Sequence, residues 1–312
     1  MFIVIYPRKI NWFYENQARV IANELRSFEV DAVAIASDDI GSLKKYKGDA
    51  LVLSLWESIT SAEWQGVGPE FLEIIRGIER RVLLNYDCIF SQYFDRHFVH
   101  DIGLVTEIFD ITMAPQTDLA HVHCTDLARV RCVPYKWIPE AFSSSEHSEL
   151  AYWKPGRKIP WATLGHGSPD RAALVSAAIS AIDPNGFIFM PPVRPYDAQS
   201  GFARDAIDRV LRQTDLYLWG SHHSYPYHEG LRALHAIAAG AIPAKIDPLN
   251  YKLFSQVPWV YPSLNKLVEA RSQRGLLSLY EEARAFVLDH KTLGEQLINA
   301  LGLTKSAQRY RV

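Results

Sequence analysis

The chain has 312 residues, 48% of them hydrophobic and 22% charged, about twice the length of a typical domain, which predicts two globular domains with sizeable cores. Thirty-three basic and 35 acidic side chains leave a net charge of −2. No overall cationic excess draws the molecule to a polyanion, so nucleic acid is not expected as a partner. Three cysteines (Cys88, Cys124 and Cys132), odd in number and without CxxC spacing, argue against a disulfide framework and a cysteine-based zinc site.

Phe2 to Tyr6 is too short for the apolar core of a signal peptide, and no apolar run reaches membrane-spanning length. The expectation is a soluble cytoplasmic protein with no transmembrane segment and at most peripheral membrane contact. Phe2–Tyr6 reads as a buried strand, followed by a helix with Ala18, Ile21 and Leu25 at helical spacing. Strands are predicted at 30–36 and 50–55, then a helix at 69–80 with Phe71, Ile74, Ile75 and Ile78 on one face. Further strands are predicted at 81–90, 110–114 and 130–135. Val-, Ile- and Leu-rich strands alternating with helices predict a parallel sheet covered on both faces. The first turn lacks GxGxxG, which leaves a dinucleotide site unsupported.

The stretch 139–158 is polar and turn-rich and reads as a linker. Strand–helix alternation then restarts, with strands at 161–164, 186–190, 215–219 and 242–246. Helices are predicted at 169–181, 202–212 and 229–239, and helical patterns dominate from Leu264 to the end. The fold class is α/β: two Rossmann-like domains facing across a cleft, with a helical C-terminal tail. The boundaries read as residues 1–142, a linker at 143–158, and a second domain at 159–312, whose terminal helices could cross back. A ligand belongs between the C-terminal strand ends of the two halves.

Three strand-to-helix turns of the second half carry candidate chemistry. Gly165, His166, Gly167, Ser168, Pro169, Asp170 and Arg171 combine close backbone approach, a helix N-terminus and a cation, which suits a phosphate; a plain turn capped by Ser168 or Asp170 is the alternative. Ser221, His222 and His223 follow the strand ending at Trp219. Adjacent histidines point to opposite sides of an extended chain, so they make a poor metal site. In the third, Tyr227 precedes a helix on which Glu229, Arg232 and His235 fall one turn apart, on nearly one face. An amphipathic helix with a solvated face explains its apolar residues but not that polar cluster.

The stretch from Glu229 to Pro243 resembles the C-terminal-domain signature of GT-B glycosyltransferases, in particular the family-4-like (group 1) enzymes. Their motif, of the form (E)G…R…EAlAaGaiPv, lines the nucleotide-sugar pocket. Glu229, Gly230, Gly240, Ile242 and Pro243 match it, and Arg232 is similar to an arginine of exostosin-like branches. His235 stands where a ribose-binding glutamate is usual, at a different spacing. Trp161 to Arg171 is similar to the "hvGs…R" opening of the donor domain, Asp110 to Asp118 to a late strand of the acceptor domain, and Pro139 to Phe142 to its exit.

The resemblance implies sugar transfer from a nucleotide diphosphate sugar to a hydroxyl-bearing acceptor, with retention; no DxD-type metal motif stands in a plausible place, so no metal or other cofactor is expected. It assigns donor contacts to Gly165, Gly167, Ser168, Arg171, Ser221, His222, His223, Tyr227, Gly230, Arg232, His235 and Lys245. The catalytic candidates are Glu229 and His100, the latter standing for the acceptor-domain histidine that often lies near the transferred sugar. His97 is a second candidate for that role, and His121 and His123 are weaker choices. Trp56, Glu57 and Asp101 are candidates for the acceptor. Helix N-termini with Arg171, Arg232 or Lys245 would neutralise the leaving diphosphate, and an inverting enzyme would need a base such as His100 or Asp101. The alternatives are a nucleotide-sugar epimerase or hydrolase on the same scaffold, or a non-catalytic nucleotide-sugar-binding module, which His235 would favour. A phage-type DNA glucosyltransferase is a further possibility that the near-neutral charge does not support.

Overall fold

The structure is a computed structural model that describes residues 1–8, 12–53, 68–86, 104–111, 134–139, 141–165, 168–190, 204–220 and 229–303. The first half runs β1 (Phe2–Tyr6), α1 (Trp12–Ser27), β2 (Ala32–Ala36), α2 (Ile40–Leu43), β3 (Asp49–Leu53), α3 (Gly68–Arg76), β4 (Arg81–Asn85), β5 (Glu107–Asp110) and β6 (Tyr135–Trp137). These strands form one sheet in the order β2-β1-β3-β4-β5-β6, parallel at every pairing.

After α4 (Ser144–Ser148), the second half runs β7 (Ile159–Leu164), α5 (Pro169–Ala181), β8 (Phe187–Phe189), α6 (Arg204–Leu211), β9 (Thr214–Gly220), α7 (Gly230–Ala238), β10 (Ile242–Ile246) and β11 (Val260–Tyr261). Then come α8 (Leu264–Leu288) and α9 (Leu293–Ala300). The second sheet is ordered β11-β10-β9-β7-β8 and is again parallel throughout. Counted from its own first strand, it repeats the order of the first sheet's first five strands. The protein is thus two Rossmann-like sheets with a long helical C-terminal segment, the GT-B arrangement.

Alternation along β1 sends Phe2, Val4 and Tyr6 towards the Ala18, Ile21 and Leu25 face of α1. The second core gathers Trp161, Leu218, Trp219 and Ala244 against Ala233 and Ile237 of α7 and Tyr280 and Ala283 of α8. α8 is interrupted at Gly275, whose φ of 76° leaves the helical region. α9 belongs to the first core, not the second: Leu293, Leu297, Ile298 and Leu301 bury against α1. Eight residues form no stable helix alone. Burying each of these side chains contributes about 1.5–3 kcal/mol and holds the helix in place.

Three expected elements shift. Pairing with β4 from Val82↔Glu107 to Asn85↔Asp110 makes Asp110 the last residue of β5 rather than its first. The sixth strand starts where its prediction ended, at Tyr135. Residues 112–114 and 130–133 lie outside the described residues. Within the expected linker, Ser143 and Glu146 form a reciprocal capping box that starts α4. The remaining linker is tied to the second half. Arg157 donates to the carbonyls of Leu211 at 2.8 Å and Thr214 at 2.9 Å, and Gly240 ends α7 against it. With φ at +74°, a β-carbon on Gly240 would sit 2.5 Å from Arg157 Nη2, so only glycine fits.

Candidate functional site

β7 and β9 lie side by side, but the chain leaves β7 towards β8 on one side and β9 towards β10 on the other. That switch point opens a crevice at their C-terminal ends. Gly165 follows β7 with φ at +142°, and its N–H donates to Phe189 O at 3.0 Å. Ser168 caps α5 by accepting from the Arg171 N–H at 3.3 Å, with Pro169 at the first helical position. Arg171 therefore falls in the first turn, where its side chain is only 3% exposed.

The other wall is the start of α7. Glu229 has a left-handed backbone, φ 53° and ψ 47°, and its side chain does not cap its own helix. For a residue with a β-carbon this conformation costs about 1–3 kcal/mol. It turns the carboxylate inward, where Oε1 accepts from Arg232 Nε at 3.0 Å and lies 3.8 Å from Arg171 Nη2. Glu229 Oε2 is buried and has no hydrogen-bond partner among the described residues. Arg232 Nη1 donates to Leu164 O and to the Tyr217 hydroxyl, each at 2.8 Å. Burial opposes its charge, but Tyr217 and Glu229 outweigh burial and raise its pKa, so it remains a cation at any working pH.

Both guanidiniums approach Gly165: a β-carbon there would sit 3.1 Å from Arg171 Nη1 and 3.2 Å from Arg232 Nη2. Among the described residues, two guanidiniums, Arg171 and Arg232, face one carboxylate, Glu229, in a mostly buried pocket. Paired guanidiniums of this kind suit the oxygens of an anion.

Of the expected site residues, the structure brings together Gly165, Ser168, Arg171, Glu229, Gly230 and Arg232. His235 goes elsewhere. Each three-residue helical step falls about 60° short of a full turn, so two steps from Glu229 carry His235 out of the cluster's face. It lines a cavity of about 20 Å³ between the halves, with Gln17, Tyr86, Ile111 and Glu146, room for about one water. Lys245 is wholly buried. Its described partners are Asp247 Oδ2 at 2.8 Å and the Phe254 ring, and no described contact joins it to the arginines. Trp56, Glu57, His97, His100, Asp101, His121, His123, Gly167, Ser221, His222, His223 and Tyr227 lie outside the described residues.

Sequence reasoning overlooked Tyr217, whose only signal is a hydroxyl-bearing aromatic between Leu216 and Leu218 at the apolar centre of β9. It also overlooked Asn85 and Asp110, buried together at the C-terminal ends of β4 and β5, with Asn85 Nδ2 donating to Asp110 Oδ1 at 3.3 Å. Among the described residues no group of three or more His, Cys, Asp or Glu gathers as a metal site. No described helix is long and apolar enough to cross a membrane.

No family model matches the sequence, and no curated protein matches it. Solved structures do match. One is an α-glucosyltransferase in complex with UDP-glucose and DNA containing an abasic site, similar over 97% of this chain and 98% of its own, at 10% identity and a TM-score of 0.58. Another is the DNA-modifying enzyme β-glucosyltransferase, over 97% of this chain and 100% of its own, at 11% identity and a TM-score of 0.56. At such identities the likeness shows the fold.

It also corrects one expectation, that nucleic acid is no partner. Whole-length structural matches are enzymes named for DNA modification or held in complex with DNA. The physical reason is that net charge is a sum over the whole surface, whereas phosphate contact is local, and a balanced total hides any segregation of sign.

Proposed function

We propose that this chain is a glycosyltransferase that moves a sugar from a nucleotide diphosphate sugar to a hydroxyl carried by nucleic acid. The observation that carries this reading is the Arg171–Glu229–Arg232 cluster at the switch point of the second sheet. As the bond from the sugar to the diphosphate breaks, negative charge accumulates on the leaving phosphate. Two guanidiniums already held in a mostly buried pocket would stabilise that charge without reorganising, which supports a counter-charge supplied by the protein itself. The first-turn N–H groups of α5 point the same way. Glu229 Oε2 is an acceptor suited to a hydroxyl of the donor's ribose or sugar. Retention of configuration follows from the likeness of Glu229–Pro243 to the family-4-like signature.

The acceptor side rests on the fold shared with the DNA-bound enzymes. Within a DNA strand the sugars have no free hydroxyl and ordinary bases carry none, so the accepting oxygen belongs to a modified base.

The experiment supplies UDP-[14C]glucose with DNA containing hydroxymethylated cytosine, with unmodified DNA, or with no DNA. Label entering only the hydroxymethylated DNA is the expected result. Donor breakdown without any acceptor would identify a hydrolase or epimerase instead. Donor binding without turnover would identify a binding module.

A further inference from the structure

Arg232 offers five N–H protons in one rigid plane. The structure accounts for three of them: Nε–H is held by Glu229 Oε1, and the two on Nη1 by Leu164 O and the Tyr217 hydroxyl. Nη2 makes no hydrogen bond among the described residues and lies against the open side of Gly165, 3.2 Å from where a β-carbon would be. The three held protons fix the plane, and the plane sets the two remaining protons beside Gly165 at the C-terminal end of β7. Leu164 O is backbone and cannot be varied without moving β7. Tyr217 is a side chain rooted in the centre of β9, 4% exposed, with its ring packed against Trp219 at 5.3 Å between centroids. It offers its hydroxyl from a position that packing has already immobilised.

We propose that Tyr217 is the positioning residue of the anion pocket: its hydroxyl locks the Arg232 guanidinium so that Nη2 meets the diphosphate of the donor. The inference rests on the reading of the crevice as a diphosphate site. Tyr217 touches no ligand itself. Without its hydroxyl, Nη1 loses one of two anchors, the guanidinium plane swings about Nε, and part of the binding energy is spent restoring the geometry.

Calorimetric titrations of wild type and Tyr217→Phe with UDP and with uridine test this. Phenylalanine keeps the ring and its packing, so the thermal midpoint should stay within a few degrees. UDP binding should weaken about tenfold, the effect of one lost hydrogen bond to a charged group, while uridine, which has no phosphates, should bind both proteins equally. Unchanged UDP affinity in the variant would overturn the positioning role. So would equal weakening of UDP and uridine, which is what a merely structural tyrosine gives. If wild type bound neither UDP nor inorganic pyrophosphate, the diphosphate reading itself would fall, and this inference with it.

A second measurement needs no variant. In the 15N spectrum of wild type without ligand, a locked Arg232 shows two separate Nη signals because rotation about its Nε–Cζ–Nη bonds is slow. A single averaged signal would overturn the proposal.

Discussion

The carboxylate of Glu24 accepts a hydrogen bond at 3.1 Å from the backbone N–H of Gly294, a residue 270 positions further along the chain. The same carboxylate accepts from the N–H of Ser144 at 2.8 Å and from its hydroxyl at 3.0 Å. One acidic side chain in α1 thus satisfies first-turn N–H groups of both α4 and α9, the segments at the two passages of the chain between halves. Gly294 is required for this approach, since a β-carbon there would sit 2.6 Å from Glu24 Oε2 and 2.7 Å from the Phe28 ring.

Glu24→Ala should therefore destabilise the protein by about 3–5 kcal/mol, because hydrogen bonds to a charged acceptor contribute about 1.5–3 kcal/mol each and three that share one carboxylate do not add in full. Urea unfolding measures the loss. Limited proteolysis should find the 288–293 connection newly accessible. An unchanged midpoint would mean that the apolar face of α9 holds it alone.

Removing Glu229 exposes the two arginines to each other. Glu229→Ala should cost about 3–5 kcal/mol, the penalty for taking from the largely buried Arg232 its one described carboxylate partner. An anion should restore part of it: pyrophosphate should raise the thermal midpoint of the variant more than that of wild type, and sodium chloride at equal ionic strength should not. A variant that pyrophosphate does not rescue would show that the arginines do not face an anion site.

Gly165→Ala places a methyl group between Arg171 Nη1 and Arg232 Nη2 and demands φ near +142° of a residue with a β-carbon. UDP affinity should fall at least about tenfold, whereas the stability cost should stay near 1–3 kcal/mol, that of one strained residue. Binding at the wild-type level would place the diphosphate elsewhere.

Alkaline pH should reveal Tyr280. Its hydroxyl donates to Ala151 O at 2.6 Å and Ile237 O at 3.2 Å, and burial pushes its pKa up from 10.0 to about 12. The folded state keeps a proton that the unfolded state releases, so this group's stabilisation is complete below pH 10 and is lost as pH climbs towards 12. Tyr280→Phe should flatten the fall of the thermal midpoint across that window. A fall as steep as wild type's would assign the loss to other groups, Tyr261 among them, whose pKa burial also pushes up to about 12.

Much of the architecture was legible because periodicity is local. α5 was read at its observed bounds from Pro169 to Ala181, and β10 from Ile242 to Ile246. β5 was misplaced because its register comes from pairing with β4, a contact between residues some 25 positions apart. At the site, a helix start and a cation marked Arg171, and a polar cluster marked Glu229 and Arg232. The family resemblance put Arg171 and Arg232 on one diphosphate, but the approach of Arg171 to Glu229 was not legible, because the two lie 58 positions apart and only the strand order brings the two turns together. Tyr217 was invisible for a related reason: on a buried strand a hydroxyl reads as one more aromatic. His235 falls off that cluster because adjacent helical turns share a face for one step but not for two.

The return of α9 also sets a schedule for synthesis. The first sheet has all six of its described strands by Trp137, yet the helix that covers α1 ends only at residue 300. At about 5–20 residues per second, ribosomes take on the order of ten seconds to make the intervening chain. Throughout that interval the nascent first half shows an uncovered apolar face where Leu293, Leu297, Ile298 and Leu301 will later sit. A chaperone that holds apolar surfaces has its window there, and it closes when the last helix arrives.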